Sequence, residues 1–171
     1  MNAKTFIVLL IVIAVGVGGY FFLFGSQKMP GLQVKDADGK VLGLQQLRGD
    51  KEYLALVMLI PGCQISQFSS NLIKQHFQRF SPRVAFAGLF YGEITAARKY
   101  AEAEELPFPV FGMRDAPDPY AVNELMKLAH ASSRVYGGTV FVVDRDDYML
   151  FYLEQEAVRD LPEKLSDLAD L

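Results

Sequence analysis

Residues 53–80 read YLALVMLIPGCQISQFSSNLIKQHFQRF, and the change of rhythm inside that stretch decides the fold. Tyr53 to Ile60 is a continuous apolar run, too short for a typical helix and stopped by Pro61-Gly62. That pattern predicts a central strand buried on both faces. From Gln64 the period changes. Ile65, Phe68, Leu72, Ile73, Phe77 and Phe80 recur at helical spacing, with Gln67, Asn71, Lys74 and Gln78 on the other side. An amphipathic helix is therefore expected over 64–80, and Cys63 sits at the joint between strand and helix.

Outward from this joint the alternation repeats. Arg83 to Phe90 reads as strand, Ile94 to Glu105 as helix, Phe108 to Phe111 as a short extended piece and Pro119 to Ala131 as helix; strand, helix, strand, helix implies an α/β crossover unit. Upstream, LQVKDADGKVLGL (32–44) gives two short strands around an Asp-Gly turn. Downstream, Thr139 to Val143 and Tyr148 to Glu154 form a second hairpin around the acidic turn 144–147. A last helix carries Leu161, Leu165 and Leu168 as its packing stripe, with Asp160 and Glu163 at the spacing of an N-cap and capping box and Pro162 in the first turn.

The first thirty residues read as an address. TFIVLLIVIAVGVGGYFFLF (5–24) is uncharged over twenty residues, enough for a helix to cross roughly 30 Å of hydrocarbon. The apolar run continues through Phe21, Phe22, Leu23 and Phe24 past the glycines, which favours a retained anchor over a cleaved signal peptide. The expected organisation is an N-terminal transmembrane anchor over 1–24, a linker over 25–30 and one globular domain over 31–171. Lys4 before the span points to a cytoplasmic N-terminus. The localisation expected is a single-pass protein of the bacterial inner membrane with its domain in the periplasm. Ala14, Gly16, Gly18 and Gly19 fall mid-span, where small side chains let another helix pack closely, although glycine is also simply common in membrane helices.

Composition removes several classes of function. With 171 residues and 51% hydrophobic content, the chain suits one packed domain plus an appendage. Beyond residue 28 there are 15 basic and 20 acidic residues, a net of −5. Without a clustered basic stripe this is a poor match for phosphate backbones, so nucleic acid is not an expected partner. Cys63 is the single cysteine and His76 and His130 the two histidines, which excludes an internal disulfide and a zinc site of several Cys or His ligands. No cofactor or metal is assigned. Glu102, Glu104 and Glu105 read as a solvated helix face, and Asp144, Asp146 and Asp147 as turn chemistry.

The order of elements, a hairpin, a buried strand ending in a Cys loop that starts a helix, a crossover, a hairpin and a terminal helix, resembles the thioredoxin-like superfamily in its redoxin branch. DADGKVLGLQQLRGDK, ARKYAEAEELPFPVFG and YGGTVFVVDRDD carry the resemblance. It implies an α/β fold, a central mixed sheet flanked by helices, over 31–171. It also puts Cys63 at the nucleophilic position and Ser66 at the resolving position of a degenerate CxxS motif. Gly62 replaces the usual aromatic before the cysteine, and Gly138 replaces the proline that faces the cysteine loop, with Thr139 after it. Leu56 and Ile60 stand where a peroxiredoxin has Pro and Thr, so a peroxidase is not expected.

A thiol at a helix N-terminus is stabilised as thiolate by oriented N–H groups. A monothiol could attack a disulfide, but Ser66 cannot resolve the mixed disulfide, so turnover would need an external thiol. The joint loss of the second cysteine, the aromatic and the proline favours the other reading: a membrane-anchored binding subunit, accessory to a membrane protein complex and without dithiol chemistry. His76, thirteen residues after Cys63, is about 20 Å along a straight helix and too far to activate the thiol. Tyr148-Met149-Leu150-Phe151-Tyr152-Leu153 is apolar on both faces of a strand expected near the sheet edge, and Tyr148, Leu150 and Tyr152 are its candidate partner surface.

Overall fold

The computed structural model describes residues 27–128 and 137–169. The expected transmembrane span, with Ala14, Gly16, Gly18 and Gly19, and His130 lie outside the described residues. Among those that are described, no helix is long and apolar enough to cross a membrane. In chain order the strands are β1 (Gln27–Lys28), β2 (Gln33–Lys35), β3 (Val41–Gly43), β4 (Tyr53–Leu59), β5 (Val84–Phe90), β6 (Val110–Gly112), β7 (Val140–Val143) and β8 (Tyr148–Leu153). The helices are α1 (Leu44–Arg48), α2 (Gln64–Phe80), α3 (Ile94–Ala103), α4 (Pro119–Leu128) and α5 (Leu161–Ala169), with a 3-10 turn at Gln155–Asp160.

The continuous apolar run of β4 is explained by its place at the centre. The main sheet has the order β1-β8-β7-β4-β5-β6, and β2 and β3 form a separate hairpin. β4 pairs in parallel with β5 and antiparallel with β7. Its odd residues Ala55, Val57 and Leu59 pack with Ile73, Phe80, Ala97, Leu161 and Leu165 on the face covered by α2, α3 and α5. Its even residues Leu54, Leu56 and Met58 pack with Val34, Leu44 and Leu125 on the face covered by the hairpin, α1 and α4. With both faces covered, no position of the strand can be polar without losing its solvation.

Three local readings are corrected. The segment read as a linker over 25–30 contributes a strand: Gln27 and Lys28 pair antiparallel with Met149 and Tyr148, and Met29 is buried. Two residues without alternation carry no period-2 signal, so their pairing depends on β8 being there. Asp160, read as a helix cap, is the last residue of the 3-10 turn, which runs directly into α5 without the extended residue that a capping box needs. In β8 the register slips between Val142 and Val143, which pair with Phe151 and Met149 and leave Leu150 as an extra residue. This bulge breaks strict alternation. Tyr152 therefore packs its ring 6.2 Å from Phe141 on the α1 and α4 face, and Tyr148, Leu150 and Tyr152 do not form one exposed stripe.

Two connections hold the loops. Asp115 Oδ2 accepts a hydrogen bond from the Ile94 N–H at 2.6 Å, capping α3 from twenty-one residues away. Arg48, 8% exposed, reaches from α1 to the β7–β8 turn. Its Nη1 donates to the Asp144 carbonyl at 2.8 Å and pairs with Asp147 at 3.2 Å. Asp144 Oδ1 accepts from the N–H groups of Asp146 and Tyr148, each at 2.9 Å, which is the turn role expected of these acids. Replacing Arg48 with Met removes both guanidinium bonds and leaves the half-buried Asp147 unpaired. The expected cost is about 2–3 kcal/mol in urea unfolding, against less than 1 kcal/mol for the exposed Lys51–Asp50 pair.

Candidate thiol site

The site is built where β4 ends. Gly62 takes φ +71°, a left-handed turn that glycine adopts without a Cβ penalty, and the Cys63 N–H donates back to the Ile60 carbonyl at 3.2 Å. Cys63 is then the extended N-cap of α2, with φ −86° and ψ 118°, and its carbonyl accepts the first helical bond from the Gln67 N–H at 3.1 Å. The thiol is partly exposed. Burial pushes the Cys63 thiol up, but hydrogen bonds from the Ser66 amide, the Ser66 hydroxyl and the Ile65 amide pull it further down, so the net shift is below the ordinary thiol value.

Ser66 is fully buried behind the thiol. Its Oγ accepts the Ile60 N–H at 3.0 Å, and its side chain is among the groups that lower the Cys63 thiol. The structure thus brings together the two residues that the CxxS reading paired. It also adds a ladder that the sequence reading missed. Ser70 Oγ donates to the Ser66 carbonyl at 2.8 Å, and Ser69 Oγ lies 2.9 Å from the Ile65 carbonyl and 2.8 Å from the Gly138 carbonyl. Ser66, Ser69 and Ser70 are all buried, whereas Phe68, expected on the core stripe, is 39% exposed under the Arg159 guanidinium. Small side chains are needed here because the backbone of the facing loop comes very close. The signal was present in the sequence as serines at i, i+3 and i+4 in line with Ile73.

That facing loop is Gly137-Gly138-Thr139. The Gly138 N–H donates to the Met58 carbonyl at 2.6 Å, and the Met58 N–H donates to the Thr139 carbonyl at 2.9 Å, continuing the β7–β4 ladder toward the thiol. A Cβ on Gly137 would lie 2.8 Å from Cys63 Sγ and would also strike Ser66 Oγ. Gly138 takes φ +86°. The described residues contain no cis peptide bond. Backbone therefore walls one side of the thiol where the family resemblance leads one to expect a proline ring.

Around this pair, Tyr91 continues from β5 with its N–H on the Leu59 carbonyl at 2.8 Å, and Arg114 stacks on its exposed ring at 5.6 Å. On the other flank a cleft of about 330 Å³ runs between Gln64, Ile65 and Phe68 of α2 and Gln155, Glu156 and Arg159. Tyr100, which the sequence reading did not single out, packs 5.3 Å from Phe90, and its hydroxyl is buried near Ser70 without hydrogen-bond geometry. Burial pushes its phenol up. His76 packs on Phe80 at 6.3 Å, as a helix-surface residue. Glu105 pairs with Lys74 at 3.0 Å, a solvated contact between α2 and the turn that follows α3.

No family model and no curated relative matches the sequence. Solved structures do. A peroxidoxin of Mycobacterium tuberculosis superposes with a TM-score of 0.67 at 15% identity, covering 85% of this chain and 96% of its own. The thioredoxin domain of a Bacteroides vulgatus thiol-disulfide oxidoreductase gives 0.61 at 13% identity, over 81% and 95%. A thiol:disulfide interchange protein from a Bacteroides species gives 0.63 at 13% identity, over 81% and 88%. The chain is similar to both branches at the level of the backbone: it has the thioredoxin-like fold, a mixed sheet with helices on both faces and a cysteine at the start of the first long helix.

Proposed function

We propose that this chain is a thioredoxin-like domain tethered to a bacterial inner membrane by residues 5–24, facing the periplasm, and acting on a membrane-protein partner through one thiol. The observation that carries the chemical part is the setting of Cys63: partly exposed, the extended N-cap of α2, with buried Ser66 beside it and the Ser66 and Ile65 groups holding the thiol below its ordinary value. A thiolate held this way is a nucleophile near neutral pH. It attacks one sulfur of a partner disulfide, the new S–S bond joins Cys63 to the partner, and the second partner sulfur leaves as thiolate. Ser66 cannot complete the exchange. A second thiol, on the partner or a small molecule, attacks the partner's sulfur in the mixed disulfide and returns Cys63 as thiolate. Cys63 is oxidised in the first step and reduced in the second.

The accessory-subunit reading, in which the domain binds its complex without redox turnover, is favoured by a different observation. The Gly137 backbone is packed against the thiol, closing part of the approach. The two readings differ in the reactivity of Cys63. Alkylation in native membranes, with Cys63→Ser as the blank, is expected to stay fast well below the ordinary thiol pKa of about 8.5. Non-reducing electrophoresis is expected to trap an adduct that Cys63→Ser loses. A thiol that alkylates only above that pH, with no adduct, would overturn the exchange reading and leave the binding role.

A further inference from the structure

The membrane reading has a geometric consequence for which side of the domain meets the bilayer. Only Gly25 and Ser26 separate Phe24, the last residue of the apolar stretch, from Gln27, the first residue of β1. Three residue steps span at most about 11 Å. β1 is held at the sheet edge by its pairing with β8, and Met29, just beyond it, is anchored in the core. An edge so short a chain away from a membrane span cannot stand far from the headgroups.

The surface at that edge suits the place. β1 covers only Tyr148 and Met149, so β8 carries on past it with its outer side unpaired by β1. Tyr148 is 37% and Leu150 38% exposed, two of the few large apolar side chains left in solvent among the described residues. The bulge sets Leu150 out of the ladder. Lys28, Pro30, Glu124 and Lys127 line one cleft beside β1, two cations against one carboxylate. An aromatic ring with a polar tip, an aliphatic side chain and two lysines are groups that the interfacial layer accommodates, the ring at headgroup level and the ammonium groups on phosphate.

We propose that the β1–β8 edge, with Tyr148 and Leu150 at its apolar centre and Lys28 and Lys127 beside it, rests on the headgroup layer of the bilayer that the N-terminal stretch crosses. The inference rests on the membrane reading of 5–24 and adds the orientation. β4 is three strand spacings from β1, about 14 Å, and Gln27 lies in line with Met149, Val143 and Leu54, so the thiol beyond Leu59 sits at the opposite end of the strands from the tether, about 17 Å further along them. The β6 edge lies five spacings away, about 24 Å from β1.

The test uses the full chain, reconstituted in phosphatidylethanolamine–phosphatidylglycerol vesicles doped with a nickel-chelating lipid, in a Cys63→Ser background. Nitroxides are placed through Leu150→Cys, Tyr148→Cys and, as the far-edge control, Arg98→Cys, all at surface positions. Loss of most of the saturation signal at 148 and 150 through contact with headgroup nickel, with none at 98, is the expected result. Equal accessibility at all three positions, in protein that stays with the vesicles after alkaline extraction, overturns the docked edge while leaving the span. Protein released by alkaline extraction overturns the span, and the docked edge with it.

Discussion

Replacing Ser66 with alanine is expected to slow alkylation of Cys63 at neutral pH by roughly tenfold, the worth of one hydrogen bond of about 1.4 kcal/mol to a charged acceptor. The reason is the double duty of one hydroxyl. It accepts the Ile60 N–H and lowers the Cys63 thiol, so its removal raises the thiol and orphans a backbone N–H. Without it the thiol moves up toward its ordinary value of about 8.5. Wild type and variant then differ most near pH 7 and converge well above that pH, where both are thiolate.

Stability follows the same linkage. A thiol whose pKa is lowered by folding adds stability above its unfolded value, and that contribution fades as pH falls through the folded one. The orphaned Ile60 N–H costs about 1–3 kcal/mol at any pH. The penalty of Ser66→Ala in urea unfolding should therefore be larger at pH 9 than at pH 6. A constant penalty together with an unshifted alkylation profile would remove Ser66 from the thiol's chemistry and leave it a structural serine.

The second large effect is expected at Gly138. A side chain there must hold φ +86° and place its Cβ 2.6 Å from both Cγ2 and the carbonyl oxygen of Ile65 and 2.7 Å from Ser69 Oγ. Left-handed backbone costs an L-residue roughly 1–2 kcal/mol, and overpacking adds about 1–3. Gly138→Ala should lose about 2–5 kcal/mol, a large share of the 5–15 kcal/mol that holds a typical domain. Gly39 separates the two contributions. It has φ +79° but nothing within 4 Å of its would-be Cβ, so Gly39→Ala should show the backbone cost alone, about 1–2 kcal/mol. Equal losses at the two positions would mean that the loop yields and that the wall beside Cys63 is soft.

How far the site could be read from the sequence varied with the range of the interactions involved. Cys63 and Ser66 were visible because strand, turn and helix N-terminus are consecutive, and three residues along a helix share a face. Gly138 was visible only through the family resemblance, and Gly137 carried no signal of its own. Their contact with residues 63–69 spans some seventy positions, and nothing local encodes it. Phe68 was misplaced for the same reason. Periodicity counts apolar residues, and at the start of α2 the approaching Gly138 carbonyl selects serine for the inner face and leaves the phenylalanine outside. In β8 alternation failed at Leu150 because a bulge inserts one residue without any local signal of the kind that marks a turn.

The succession of strands and helices, the central position of Tyr53–Leu59, the single thiol at a helix start and the uncharged stretch at 5–24 are written in the chain alone. Each follows from short-range patterning: apolar runs, helical period, turn residues and counts of charge. It takes the folded chain to show that Gln27–Lys28 adds an edge to the sheet, that Asp115 rather than Glu93 caps α3, that Arg48 ties α1 to the second hairpin, and that backbone rather than proline faces Cys63. These are pairings between distant segments. Their energies exist only once the β4 core has brought the segments together, so no window of sequence can contain them.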